Sequence, residues 1–169
     1  DLKKYIRNIP DFPKKGILFR DITTLIGNKE KFKEVIDTLA DRYAGKKIDA
    51  VLAVESRGFI FGGALAYKLG AGFVPVRKKG KLPHKTYKAA YSLEYGEDTL
   101  EIHQDAIKPG ARILLIDDLL ATGGTLGAVI GLVKKLKGEI VEIAFIIELE
   151  DLKGRSKLSG FPVYSMIQY

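Results

Sequence analysis

Cysteine is absent from the 169-residue chain. That excludes disulfides, thiolate metal sites and a cysteine nucleophile, and it suits a reducing compartment. Long apolar runs are missing as well. A membrane-crossing helix needs roughly 18 apolar residues in a row, and the most apolar stretch, 140–149, is interrupted by Glu142 and Glu148. No membrane partner is expected. The opening residues Asp1-Leu2-Lys3-Lys4-Tyr5 lack the charged-then-apolar layout of a secretory leader, so a cytoplasmic location is expected. Internal repeats, low-complexity tracts and linkers are also lacking, which favours one domain over residues 1–169 at the usual size of about 100–200 residues.

What is present is an ordered composition, 46% hydrophobic and 29% charged. Twenty-eight Lys and Arg against 21 Asp and Glu leave a net charge of +7. That excess suits nucleic acid or a small polyanionic substrate equally well.

Residues 1–47 read as a helical preface. Leu2, Tyr5, Ile6 and Ile9 have helical spacing until Pro10 and Pro13 stop it, and Phe32, Val35, Ile36 and Leu39 recur on one face of a second helix. Between them, residues 12–23 form an irregular and unusually apolar loop. From residue 48 the period changes. The run 50–54 is short and continuously apolar, as in a strand buried on both faces, and an apolar helix over 58–69 and a strand over 73–76 follow. A second strand at 112–116, a turn at 117–124, a helix to about 137 and a strand over 140–147 repeat the pattern. This alternation predicts the α/β class, with a mainly parallel twisted sheet flanked by helices. Residues 78–104, rich in Lys, Tyr and Gly, fit the scheme poorly and read as a long flexible flap loop.

The segment with most chemistry is 113–125, a buried strand ending in Asp117 and Asp118 and then a small-residue turn into a helix. Ligands of open parallel sheets bind beyond the carboxyl ends of strands. There the exposed amides of a helix N-terminus, with the hydroxyls of Thr122 and Thr125, make a phosphate cradle. Gly123 and Gly124 let backbone approach the anion without a Cβ in the way. Asp117 and Asp118 repel phosphate and instead suit ribose hydroxyls or a magnesium ion. No Lys follows the glycines as in a Walker loop, and no spaced Gly-x-Gly-x-x-Gly occurs. A sugar phosphate is the ligand these residues suit.

The whole of 113–125 resembles the phosphoribosyl-pyrophosphate signature of the type I phosphoribosyltransferases. Asp117-Asp118-Leu119-Leu120-Ala121-Thr122-Gly123-Gly124-Thr125 is similar to the branch that acts on adenine. Resemblance continues at Phe12-Pro13, at 16–22, 55–59, 77–83, 91–96 and 152–155, and so covers nearly the entire chain. It implies an N-terminal hood over 1–47, a flap over 78–104 and transfer of phosphoribosyl from 5-phosphoribosyl pyrophosphate to adenine. AMP and pyrophosphate would be the products, in purine salvage.

The resemblance also implies roles residue by residue. Ala121, Thr122, Gly123, Gly124 and Thr125 would hold the 5′-phosphate, and Glu55, Ser56, Arg57, Arg77 and Lys81 the pyrophosphate. Leu18, Phe19, Arg20 and Leu119 would form the adenine slot, with Phe19 stacking on one face and Leu119 packing on the other. Asp117 and Asp118 would hold ribose hydroxyls, Glu94 would approach N7 of adenine as the acid or base, and Tyr95 would help close the flap. Magnesium is implied as the cofactor, carried mainly through the substrate with no dedicated protein metal site. A homodimer is implied and a nucleic-acid partner is not.

Overall fold

Residues 1–93 and 96–169 are described by the computed structural model, and they divide into two compact units, 1–42 and 43–169. Glu94 and Tyr95 lie outside the described residues.

The first unit departs from the expected helical preface. Leu2–Tyr5 forms a single 3-10 turn, with the Asp1 side chain accepting from the Lys3 amide. The chain then runs straight into strand β1 (Arg7–Pro10), which pairs antiparallel with β2 (Leu18–Asp21), so part of the expected loop at 12–23 is also strand. The apolar spacing of Leu2 to Ile9 is too short to sustain a helix before Pro10. The ribbon instead gains an ion pair across the register position Arg7–Asp21, with Arg7 Nη2 2.6 Å from Asp21 Oδ2. Asp21 also accepts from the Thr23 amide and hydroxyl, which holds its carboxyl below the usual range at the entry to α1 (Thr23–Ile26). Helix α2 (Lys29–Tyr43) follows the expected periodicity: Val35, Ile36 and Leu39 are buried, and Asn28 accepts from the Lys31 amide at its start.

The second unit is built on a seven-stranded sheet. Its strands are β3 (Ala50–Val54), β4 (Gly72–Lys78), β5 (Thr86–Ser92), β6 (Glu97–His103), β7 (Arg112–Leu120), β8 (Glu139–Glu148) and β9 (Val163–Gln168). They are arranged in the order β5-β6-β4-β3-β7-β8-β9. The five strands from β4 to β9 run parallel, and the β5–β6 hairpin adds antiparallel to one edge. Residues 78–104, expected as a long flap loop, therefore carry two strands over most of their length. Period-2 burial of Leu100 and Ile102 against the core draws them into the sheet. Strand β9 was not anticipated; it is a half-buried edge strand whose pattern lacks the continuous apolar run of β3.

Helices α3 (Arg57–Leu69) and α4 (Gly124–Lys135) supply the crossovers β3-α3-β4 and β7-α4-β8. Alternation along the strands sorts the core into two layers. Leu52, Val54, Ile113 and Leu115 pack with Leu126, Val129 and Val133 of α4, whereas Ala53 and Ile116 lie on the side of α3, close against Gly62. The fold thus agrees with the expected mainly parallel sheet flanked by helices. Among the described residues no helix is long and apolar enough to cross a membrane.

Candidate active site

The crossovers from β3 and β7 leave these adjacent strands in opposite directions, which opens a crevice at their carboxyl ends. Two chemically loaded turns meet there. The first follows β3: Glu55 and Ser56, joined by a cis peptide, lead into α3 at Arg57. The second is the end of β7, which runs on to Leu120 by pairing with β8 and so takes in 117–120, expected as turn; the parallel register Ala53↔Ile116 sets Asp117 and Asp118 beside the β3 turn. The approach is close enough that a Cβ on Gly58 would stand 2.8 Å from Asp117 Oδ1. Glycine here lets the helix start lie against the carboxylate.

Asp118 is 6% exposed and accepts from Arg57 Nε at 2.6 Å. Its own amide donates to Asp117 Oδ1 at 2.9 Å. Burial, followed by the neighbouring charge of Asp118, pushes the Asp117 carboxyl well above the usual carboxylate range, with Arg57 pulling weakly the other way. The arrangement sets one carboxylate paired to a guanidinium beside one whose charge burial and its neighbour disfavour.

A cavity of about 530 Å³ opens over this pair. Asp117 and Asp118 form an acidic wall, and Glu55, Ser56 and Arg57 bring the β3 turn to it. Lys78, Lys81 and Thr125 complete the polar lining, and Tyr91 of the hairpin faces it with Val54 and Leu100. A lining that holds both carboxylates and cations suits a ligand that carries both hydroxyls and anions.

Arg77 is not among the cavity-lining residues but pairs with one of them, Glu55. Its Nε lies 3.3 Å from Glu55 Oε1 as an ion pair, without the alignment of a hydrogen bond. The reason is the pleat: Arg77 and Lys78 are successive residues of β4 and point to opposite faces. Lys78 takes the cavity side, donates its amide to Glu55 Oε1 at 2.8 Å and holds Asp98 Oδ2 at 3.2 Å. Tyr91 donates from its hydroxyl to the same Asp98 oxygen at 3.2 Å. Lys78 and Tyr91 were missed as lining residues; the alternation of β4 was the signal available for Lys78.

A smaller recess of about 80 Å³ sits at the turn into α4, lined by Leu119, the run 121–125 and Asp117. Gly123 has φ +82° as the residue before the helix, a conformation that a side chain would strain. The free amides of the first turn of α4 give this recess a donor-rich, partly positive mouth. Leu119 shares the recess with the glycine turn, while the other residues expected at the adenine slot belong to the first unit. There Leu18 is exposed on β2, Phe19 stands edge-on to Phe12 at 5.1 Å, and Arg20 Nη1 donates to Asn8 Oδ1 at 2.6 Å. Among the described residues no group of three or more His, Asp or Glu could hold a metal ion.

Comparison with known proteins bears on this geometry. The phosphoribosyl transferase domain model matches residues 23–166. The chain is 58% identical to the adenine phosphoribosyltransferase of Brachyspira hyodysenteriae, over 100% of this chain and 99% of that one. A crystal structure of the Thermoanaerobacter pseudethanolicus adenine phosphoribosyltransferase superposes with a TM-score of 0.96 at 52% identity, covering 99% and 98% of the two chains. The Saccharomyces cerevisiae adenine phosphoribosyltransferase was crystallised with an imino-altritol bisphosphate and adenine. It gives a TM-score of 0.93 at 44% identity, with 98% and 96% covered.

The chain belongs to the phosphoribosyltransferase family and is a pentosyltransferase. Within that family it is a member of the adenine phosphoribosyltransferases.

Proposed function

We propose that the chain transfers the phosphoribosyl group of 5-phosphoribosyl pyrophosphate to adenine, giving AMP and pyrophosphate with magnesium. The observation that carries the reading is the meeting, at one sheet edge, of the Asp117–Asp118 pair, the Arg57 turn and the glycine turn before α4. Each matches one part of the substrate. The amides and hydroxyls of 121–125 take the 5′-phosphate, Asp117 and Asp118 take the ribose hydroxyls, and Glu55, Ser56, Arg57 and Lys81 take the pyrophosphate. Arg77 belongs to the pyrophosphate set as well, and Lys78 joins it from its place in the cavity.

Bond formation from adenine to the anomeric carbon accompanies loss of pyrophosphate, so positive charge grows on the ribose and negative charge on the leaving group. Asp117 and Asp118 are placed to stabilise the first, and Arg57 with the lysines the second. Glu94 exchanges a proton with N7 of adenine, and Tyr95 closes the site against water. Phe19 stacks on the base, Leu119 packs on its other face, and the backbone at Leu18 and Arg20 reads its edge. Adenine in the yeast relative's crystal supports the choice of base.

The donor set fits magnesium in one mode. Two carboxylates, one of them already paired to Arg57, are too few for an all-protein site, and magnesium typically keeps one or two carboxylates plus substrate oxygens and water. Asp117 and Asp118 would face it through the ribose hydroxyls, and it would neutralise charge on the pyrophosphate. The two units serve one catalytic domain, with 1–47 as the base-binding hood and the 78–104 hairpin as the flap. Full-length similarity to the Brachyspira hyodysenteriae relative, over 100% of this chain, supports that assignment. A cytoplasmic homodimer is part of the same reading.

The test is release of pyrophosphate on mixing the protein with adenine, 5-phosphoribosyl pyrophosphate and magnesium. Stoichiometric AMP and pyrophosphate are expected; pyrophosphate without AMP would reduce the activity to hydrolysis.

A further inference from the structure

One stretch that the sequence singles out, 152–155, has no part in the reaction as described, yet it lies against the phosphate turn. A Cβ on Gly154 would stand 2.3 Å from the Ala121 carbonyl oxygen and 2.8 Å from Leu120 Cδ1. A Cβ on Gly123 would stand 2.5 Å from the Gly154 carbonyl oxygen. Two backbones are therefore in contact with no side chain between them, and Gly154 forms the back wall of the turn.

Gly154 is held in place by its neighbour. Arg155 donates from Nε to Glu148 Oε1 and from Nη2 to Glu148 Oε2, both at 2.7 Å, and from Nη1 to the Val163 carbonyl at 2.9 Å. Glu148 is 3% exposed and accepts a further bond from the Ser165 hydroxyl at 2.5 Å. Arg155 and Ser165 hold the Glu148 carboxyl below the usual glutamate range. One guanidinium thus joins the end of β8, the start of β9 and the 3-10 segment Gly154–Leu158, in the planar two-pronged geometry that fixes direction as well as distance. The Leu149 amide, just past β8, donates to the Leu120 carbonyl at 2.9 Å, tying the Glu148 end of β8 to the strand that feeds the turn.

We propose that Arg155 and Glu148 are positioning residues for the 5′-phosphate, holding Gly154 against Ala121 and Gly123 so that the turn before α4 keeps its amides aimed at one point. The proposal rests on the assignment of 121–125 to the 5′-phosphate. Preorganised donors act only when held within about half an ångström of the productive geometry, and a turn whose back wall relaxes loses that alignment first. Affinity for the ribose phosphate half of the substrate then depends on a residue that never touches it.

The experiment compares Arg155→Ala, Arg155→Lys and Gly154→Ala with the wild type, in steady-state kinetics and in titration with ribose 5-phosphate. Circular dichroism first establishes the temperature at which each variant is folded. Arg155→Ala is expected to raise the KM for 5-phosphoribosyl pyrophosphate and the Kd for ribose 5-phosphate at least about tenfold, with the KM for adenine within about twofold. Arg155→Lys keeps the charge but not the fork and is expected to fall between; it carries the test if the alanine variant does not fold. Gly154→Ala pushes directly on the Ala121 carbonyl and is expected to weaken ribose 5-phosphate in the same way. Unchanged ribose 5-phosphate affinity in folded variants would overturn the positioning role alone, as would equal losses for both substrates. Failure of the wild type to bind ribose 5-phosphate would overturn the phosphate assignment beneath it.

Discussion

Arg57 and Asp118, 61 residues apart in the chain, are joined at 2.6 Å from Nε to Oδ2, and this contact ties the turn after β3 to the end of β7. It leaves the two carboxylates of the site unequal. Asp118 has a cation, whereas Asp117 is confined by burial and by the charge next to it.

That inequality predicts a trade between stability and activity. A carboxyl whose folded pKa is raised destabilises the fold while it is ionised, fully above the folded pKa and not at all below the unfolded one. Wild-type stability therefore gains as pH falls through the raised value. Asp117→Asn removes the ionisation and keeps an oxygen to accept from the Asp118 amide. It is expected to melt higher at pH 7, by about 2–4 °C for each roughly 1 kcal/mol of relieved penalty, and to lose that pH slope. Its turnover is expected to fall at least about tenfold, and Asp117→Asn with Asp118→Asn further still, AMP binding being weakened less. Thermal melts from pH 5 to 8 beside initial rates decide it; near-wild-type turnover in the double variant would remove both residues from the ribose site.

Phe19 separates the two substrates. If its ring stacks on the base, Phe19→Ala deprives adenine of a contact worth roughly a kcal/mol and leaves the sugar phosphate untouched. A rise of about fivefold or more in the KM for adenine is expected, with that for 5-phosphoribosyl pyrophosphate little changed. Parallel rises in both constants would point to a defect in folding of the first unit.

Glu94 is the proposed acid–base group, and Gln preserves its shape and hydrogen bonding while removing the titratable proton. Removing a positioned acid or base typically costs about 10²–10⁴ in rate, whereas losing a solvated carboxylate changes little. Glu94→Gln is expected to fold normally, to be protected against heat by 5-phosphoribosyl pyrophosphate and magnesium, and to turn over at least about a hundredfold more slowly. A loss below about tenfold would leave Glu94 a positioning group only.

The parts legible in the sequence were those whose physics is local and continuous. The runs 50–54 and 113–116 are apolar without interruption because both faces of β3 and β7 are covered, and Thr122-Gly123-Gly124-Thr125 marks the start of α4, although β7 itself runs past Asp117 and Asp118 to Leu120. What escaped were elements decided by long-range pairing. β1 exists because Arg7 meets Asp21 across a ribbon, and β5 and β6 because they add to an edge of the sheet. That Lys78 lines the cavity depended on which face of β4 looks into it, a matter of register that a basic run does not reveal. The bidentate Glu148–Arg155 pair could not be read from residues seven apart with an irregular segment between them.

The central claim is a transferase that selects adenine, and the most direct measurement is kcat/KM for adenine, hypoxanthine and guanine with saturating 5-phosphoribosyl pyrophosphate and magnesium. A base slot that pairs its polar groups with one purine edge leaves them unpaired against another, which discriminates far more strongly than shape alone. The account predicts AMP as the product, with adenine favoured at least about a hundredfold over either 6-oxopurine. Comparable values for the three bases, or a preference for hypoxanthine or guanine, would contradict it.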